Sequence, residues 1–279
     1  MVEIIKKLTF VFNVTILARI IWRNRTLLWQ LTKRNIVARY RGSMLGVFWG
    51  LVQPLMMLCI YTFVFSVVFE ARWGVNIEKF KGAFAIIMFC GMALYSIFAE
   101  CVSCSCGLII GNPNFVKKVI FPLEILPLAQ CISSLILGLE WFVLLFLGVI
   151  FIYGDLNYTM LLLPIILIPL FLFSLGISYF VASLSVYVRD TAYIVQVILQ
   201  MLFFMTPIVY PIMAVPEKYR WLLETNPLTV LIEQCRKIFL YGIMPDWLFL
   251  GNAALVSLII LHLGFIWFFK TKKGFSDVL

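Results

Sequence analysis

The sequence predicts an all-α integral membrane protein with six transmembrane helices. Hydrophobic residues make up 63% of its 279 positions and charged residues 13%, whereas a soluble domain is nearer half apolar and a quarter charged. Several apolar stretches reach the length of about 20 residues that a helix needs to cross a bilayer. Because a helix pairs its own backbone groups, lipid can surround this much apolar surface, and we expect a membrane-embedded helical bundle.

Residues 1–44 are predicted to form a cytoplasmic amphipathic region with an interface helix. Lysines precede its first apolar run, as in a signal peptide, but Arg19 interrupts that run and no cleavage pattern follows, so we expect no removal. In "LLWQLTKRNIVARY", residues 27–40, apolar and polar side chains alternate at helical spacing. The basic residues there either set the topology or dock a cytoplasmic subunit.

Residues 45–269 are predicted to form the transmembrane domain. We place its six spans near residues 45–69, 83–106, 123–152, 159–186, 192–213 and 247–269. Prolines within these spans predict kinks rather than breaks, at Pro54, Pro127, Pro164 and Pro169. Gly42, Gly46 and Gly50 recur every four residues at the start of the first span, a pattern that favours close packing against another helix.

Two connecting segments are predicted to contain helices. In "GNPNFVKKVIFP", residues 111–122, Asn112 can cap a helix of about two turns that Pro113 begins and Pro122 closes, with an apolar face that we expect to be covered. Between the last two spans, prolines and Asn226 predict two short helices, which we interpret as a re-entrant pair over residues 214–242 in the outer leaflet. Residues 270–279 are predicted to be a cytoplasmic tail.

The basic residues predict the orientation. With six spans both termini share one side, and most of the 22 Lys and Arg residues fall there, so the positive-inside rule places both ends in the cytoplasm. The net charge of +9 is therefore explained by topology and anionic lipid, and without a groove-reading motif we expect no nucleic-acid partner.

The sequence offers little catalytic chemistry. It has no Gly-rich phosphate loop, no His-Glu-x-x-His and no Gly-x-Ser-x-Gly, so we expect no nucleotide hydrolysis and no catalytic residue in this chain. Cys101, Cys104 and Cys106 have no His nearby, which favours helix packing over a metal site.

The remaining candidates lie within or at the ends of spans. Glu100 and Glu140 are carboxylates inside predicted spans, and Glu140 is either a pathway residue or a structural hydrogen-bonding group. Tyr210, Tyr241 and Trp247 fall at predicted outer ends, where they form an interfacial belt or line a channel or gate. Arg39 and Arg41 are either topology charges or a pair of guanidinium groups that receives a lipid diphosphate on the cytoplasmic side.

Four blocks of sequence together resemble a known family. They read "KRNIVARYRGSMLGVFWGLVQPL" (33–55), "NPNFVKKVIFPLEILPLAQ" (112–130), "YVRDTAYIVQVILQMLFFMTPIVYP" (187–211) and "PEKYRWLLETNPLTVLIEQCRKIFLYG" (216–242). In order and spacing they resemble the permease subunits of ABC-2 type polysaccharide exporters. Members of that family export O-antigen, for lipopolysaccharide biosynthesis, or capsule polysaccharide or teichoic acid.

The resemblance implies a homodimer in the bacterial inner membrane with two copies of a separate ATPase subunit, which would carry the ATP and Mg and leave this chain without a cofactor. It implies that the N-terminal region and the 112–121 helix contact those subunits. The proposed coupling residues in that helix are Asn112, Pro113, Phe115, Lys117, Lys118 and Phe121. The implied substrate is a long glycan on undecaprenyl diphosphate.

Two other functions stay open on the sequence. A membrane glycosyltransferase or polymerase acting on polyprenol-linked sugars would need clustered acids in an aqueous loop, and the acids here are scattered. An ABC-2 exporter of a drug or small lipid would share the permease features, and neighbouring glycosyltransferase genes would distinguish it from a glycan exporter.

Overall fold

The computed structural model describes residues 14–64, 83–117, 121–154 and 156–279, and every regular element among them is helical. The helices are α1 (Val14–Arg23), α2 (Arg25–Tyr40), α3 (Trp49–Thr62), α4 (Ala83–Ser105), α5 (Pro113–Val116), α6 (Ile125–Tyr153), α7 (Leu163–Tyr187), α8 (Thr191–Met205), α9 (Glu217–Glu224), α10 (Pro227–Arg236), α11 (Trp247–Thr271) and α12 (Phe275–Val278). The predicted helical class is therefore confirmed.

Within this described part, four helices are long and apolar enough to cross a membrane: α4, α6, α7 and α11. Helices α3 and α8 are apolar but shorter, and residues 65–69, which complete the first predicted span, lie outside the described residues. The six-span count stays a prediction.

The fifth predicted span ends earlier than expected. It was placed over 192–213, whereas α8 ends at Met205 after 15 residues. Pro207 has no N–H and pushes the residue before it out of helical geometry, and Thr206 indeed has φ −104° and ψ 137°. At 1.5 Å per residue α8 is about 23 Å long, less than the roughly 30 Å of a hydrocarbon core.

Helix α4 lies at the centre of the bundle. In its most apolar stretch 78% of the residues are buried, against 28% in α6 and 33% in α11. It packs against α6, α7, α8 and α10, while α7 packs most extensively against α11. Because α4 is apolar on all sides, each of its faces can pack against a neighbouring helix, and α4 therefore lies in the core.

The N-terminal region packs onto the bundle through one stripe of α2. Leu28 and Leu31 are buried, and the Asn35 amide donates a 3.1 Å hydrogen bond to the Gln130 Oε1 of α6. The helical spacing in residues 27–40 therefore marks a packing face, and the opposite face, with Lys33, is exposed.

The prolines within the predicted spans occupy two kinds of position. Pro54 and Pro169 lie inside α3 and α7, which continue through them, whereas Pro127 and Pro164 occupy first turns, where no N–H is needed.

The prediction of a three-glycine packing face was wrong. Gly42 and Gly46 have φ of +84° and +53° and form the turns between α2 and α3, so of the three only Gly50 is on the helix.

The predicted helical pair before the last span exists as α9 and α10. The Asn226 side chain caps α10 by accepting a 3.0 Å hydrogen bond from the Leu228 N–H, and the helix ends through a π turn at Gly242, with φ +61°. Helix α10 buries its apolar side against α4 and α11. Its re-entrant position in a leaflet stays a prediction.

The predicted C-terminal tail, residues 270–279, is largely helical and packs on the bundle. Helix α11 continues to Thr271, a short turn follows, and Phe275 is fully buried against Phe268 and Tyr187. Lys272 forms an ion pair with Glu124 at the start of α6, which fixes the chain end to the bundle.

Candidate functional site

A cavity of about 450 Å³ opens where the end of α2 meets α3, α4, α6 and α8. Its charged side chains are Arg39 of α2, Glu100 of α4 and Glu140 of α6, and Tyr40 and Gln53 add a phenol and an amide. The remaining wall is largely apolar or aromatic. This is where the structure brings together the sequence candidates Arg39, Glu100 and Glu140.

The ion pair between Arg39 and Glu100 connects the N-terminal region to the central helix. The Arg39 Nη1 donates to the Glu100 Oε1, and the side chains are 39% and 21% exposed. An ion pair with this much water contact contributes little net stability, so its main consequence is geometric. It holds the C-terminal end of α2 against the mouth of the cavity.

Glu140 is held by Tyr40 and faces a glycine. The Tyr40 hydroxyl donates to the Glu140 carboxylate, at 3.3 and 3.5 Å from its two oxygens. Burial, with the adjacent Glu140 carboxylate, raises the pKa of the Tyr40 phenol, which therefore stays protonated as a donor. A Cβ on Gly50 would lie 1.4 Å from the Glu140 Oε2, so α3 can approach α6 here only without a side chain.

The structure separates the two arginines that the sequence suggested as a pair. Arg39 lines the cavity and is neutralised by Glu100, whereas Arg41 follows α2 with an exposed side chain and does not line the cavity. The cavity thus holds two carboxylates and one guanidinium among its described lining residues.

The proposed coupling segment is shorter than predicted but is anchored. Helix α5 is a single turn, Pro113–Val116, where about two turns were expected, and Lys118 lies outside the described residues. The Asn112 side chain does not cap it and instead donates a 2.8 Å hydrogen bond back to the Leu108 carbonyl. The Asn112 Oδ1, the atom that would accept a capping bond, accepts from Arg34 instead.

Aromatic stacking and one arginine order this segment. The rings of Phe115 and Phe121 stack with centroids 4.4 Å apart and an interplanar angle of 10°. Arg34 of α2 lies 5.7 Å from the Phe115 ring centroid and donates to the Asn112 Oδ1 at 3.5 Å. Part of the apolar face is thus covered by α2, while Lys117 is exposed.

The other aromatic candidates lie away from this cavity. The Tyr210 hydroxyl donates a 2.8 Å hydrogen bond to the Phe204 carbonyl, left without its helical partner by the end of α8. Tyr241 and Trp247 are 46% and 56% exposed on either side of the turn into α11.

Sequence reasoning gave no role to Arg236, which lies on the second helix of the predicted pair over residues 214–242. Its side chain is 1% exposed, and it donates to the Ile208 carbonyl at 2.9 Å, the Ile87 carbonyl at 3.2 Å and the Glu233 carboxylate at 2.6 Å. The Glu-x-x-Arg spacing on an otherwise apolar helix was the available signal. Arg236 joins α10, α4 and the irregular chain after α8.

Glu124 was also missed, because it lies at the edge of a predicted span. It is 3% exposed, pairs with Lys272, and its carbonyl accepts a 3.0 Å hydrogen bond from the Tyr179 hydroxyl. Pro122 just before it and the helix start just after it marked the position of a helix terminus, but not its partner.

A bundle of long apolar helices with a helical N-terminal region and a charged cavity at their junction defines a multi-pass membrane protein, and the chain belongs to the ABC-2 type transporter family, which it matches over residues 26–240. This confirms the resemblance found in the sequence.

Individual relatives share nearly the whole chain. It is 29% identical over 267 residues to the O-antigen export system permease protein RfbA of Myxococcus xanthus, covering 94% of this chain and 98% of the relative. It is 28% identical over 258 residues to the protein of that name from Klebsiella pneumoniae, covering 91% and 95%. It is also 22% identical over 236 residues to the polysialic acid transport protein KpsM of Escherichia coli, covering 83% and 88%.

Proposed function

We propose that the chain is the permease subunit of an ATP-driven exporter that moves a polysaccharide across the bacterial inner membrane. The observation that carries this proposal is the end-to-end similarity to two O-antigen export permeases, together with membership of the ABC-2 family. The proposed substrate is a glycan such as O-antigen on undecaprenyl diphosphate. Both chain ends lie in the cytoplasm, where most basic residues are concentrated.

The proposed assembly contains two copies of this chain and two copies of a separate ATPase, which carries the ATP and Mg. Helix α8 offers a surface that a second copy or lipid would cover, since it buries only Thr191, Val195 and Leu199 and leaves exposed apolar side chains around most of its circumference. The ATPase docks on the α5 segment. Exposed Lys117 and the ordered Phe115–Phe121 stack provide a charged and an apolar contact there.

Movement of the ATPase reaches the cavity through α2. Arg34 contacts the α5 segment, and five residues later Arg39 pairs with Glu100 at the cavity mouth. Because a helix of 16 residues with a packed face moves as a unit, displacement at α5 shifts both the Arg34 contact and the Arg39–Glu100 ion pair. Glu140 then lies beside the path of the glycan. The outer gate of that path is formed by Tyr210, Tyr241 and Trp247.

The lipid diphosphate is proposed to contact Arg41 and Arg39 in turn. Arg41 is exposed, so its guanidinium is available first, whereas Arg39 must release Glu100 before it can bind a phosphate oxygen. Replacing each by Gln in the purified complex tests this, with glycan-stimulated ATP hydrolysis as readout. Stimulation that is unchanged in both variants identifies the arginines as topology charges alone.

Co-purification and deletion test the function as a whole. Affinity purification of this chain from native membranes is expected to bring an ATPase subunit and a polyprenol-linked glycan with it. Deletion is expected to trap lipid-linked polymer inside the cell, and a deletion strain with normal surface glycan contradicts the proposal. Sugar transfer by the purified chain would instead support a glycosyltransferase.

The coupling role is tested by replacing Phe115, Lys117, Lys118 and Phe121 with Ala together. We expect ATP hydrolysis to continue while export falls, with membrane insertion intact. Lys273→Ala, an exposed lysine outside the α5 segment, is the matched control and should export normally. Unchanged export in the quadruple variant removes α5 as the coupling element.

A further inference from the structure

A second concavity lies on the surface of the bundle between α7 and α11, separate from the charged cavity. It has a volume of about 580 Å³. Its walls are apolar or aromatic along their length, with Ile177 and Phe180 from α7 and Ile260, Leu263 and Trp267 from α11. Lys270 is the single charged residue of the lining. Leu263 is 60% exposed and Trp267 42%, so the groove is open to the surroundings of the protein.

Two glycines form the groove by bringing the helix backbones into contact. A Cβ on Gly264 would lie 2.0 Å from the Gly176 carbonyl oxygen, and a Cβ on Gly176 would lie 2.6 Å from the Leu261 nitrogen. Small residues at a membrane helix crossing allow this close approach. Gly176 and Gly264 both line the groove, which runs along this crossing.

The groove has an aromatic wall and a cationic end. Phe180 and Trp267 lie across from each other with ring centroids 5.3 Å apart, and Lys270 follows Trp267 by one helical turn. No carboxylate in the described ranges forms an ion pair with Lys270, whereas Lys272, two residues on, is paired with Glu124. Lys272 is thus neutralised by the protein, whereas Lys270 is exposed.

We propose that this groove binds an anionic phospholipid, with one acyl chain along the α7–α11 crossing and the phosphate on Lys270. The occupant must combine a long apolar body with a negative group at one end, which is the pattern of the lining. Trp267 is two residues from the end of the last predicted span, at residue 269, and an indole ring is favoured at such a membrane interface. A lysine at this position attracts an anionic headgroup through its charge and through hydrogen bonds to phosphate oxygens.

The expected selectivity is modest and measurable. One lysine near a membrane surface gives roughly a five-fold preference for an anionic over a zwitterionic lipid. Native mass spectrometry of the full chain, purified and exchanged into equal amounts of phosphatidylglycerol and phosphatidylethanolamine, should show retained phosphatidylglycerol in excess by about that factor. Lys270→Gln should abolish the excess, while Lys273→Gln, at the same end but outside the lining, should keep it.

A second pair of variants tests the shape of the groove without removing charge. Leu263→Trp adds bulk to an exposed lining position and should reduce retention of both lipids, whereas Leu258→Trp, exposed outside the lining, should not. Both substitutions are at exposed positions, and a melting temperature of Leu263→Trp equal to that of the wild type would exclude a folding defect as the cause of reduced retention.

Three results would overturn the proposal. Equal retention of the two lipids by the wild type excludes recognition of the anionic group, and an unchanged excess in Lys270→Gln excludes that lysine. The third is efficient cross-linking between copies through Leu263→Cys in vesicles, with the exposed Cys59 and Cys104 replaced by Ser, which would show that a second protein chain covers the groove.

Discussion

Replacing Arg236 with Met tests whether this buried cation fixes the outer part of the bundle. The substitution keeps most of the side-chain volume and removes the guanidinium, which leaves the Ile208 and Ile87 carbonyls without this donor and the Glu233 carboxylate without its partner. Ile208 is itself fully buried, so water cannot easily replace the donor at its carbonyl.

The expected cost follows from the partners left behind. Removing one member of a buried ion pair costs about 3–5 kcal/mol, because the remaining charge loses its compensation. Since Glu233 is 33% exposed, water can recover part of this, and we expect the loss of stability to lie at the lower end, about 3 kcal/mol. For a chain of this size that corresponds to a fall of roughly 6–12 °C in apparent melting temperature.

The assay is thermal denaturation of the purified chain in one detergent, followed by tryptophan fluorescence. Lys218→Met, an exposed charge on the neighbouring α9, is the matched control and should change the stability by less than about 0.5 kcal/mol. Adding Glu233→Gln to Arg236→Met should restore part of the loss, since the orphan carboxylate is removed. A melting temperature of Arg236→Met equal to that of Lys218→Met would refute the reasoning.

Two further predictions concern contacts elsewhere in the bundle. Gly50→Ala should force the Glu140 carboxylate out of its position, lower stability by about 1 kcal/mol and reduce surface glycan. Gly107→Ala is the control and should behave as wild type, because a Cβ there meets nothing within 4 Å. Equal export by the two variants contradicts this prediction. In a double-mutant cycle, Glu124→Gln and Lys272→Gln should show a coupling energy of about 1–3 kcal/mol in the same melting assay, and additive losses would mean that the pair contributes nothing.

The sequence alone predicted the features that depend on local chemistry. Hydropathy predicted a helical membrane protein, and Asn226 marked a helix start that the structure confirms. The helical spacing of residues 27–40 predicted a face, which proved to pack on α6. Each of these follows from the chain's own geometry or from the transfer of side chains out of water, so no distant residue is needed.

The tertiary structure decided which distant groups meet. Arg39 and Glu100 are 61 residues apart, Lys272 and Glu124 are 148 apart, and Arg236 reaches Ile87 across 149. A charge in an apolar segment requires a partner, but the sequence does not say which one, because helices of similar hydropathy can pack in several arrangements. The spacing of Gly42, Gly46 and Gly50 misled for a related reason: helix periodicity has meaning only where a helix exists, and the chain begins α3 at Trp49.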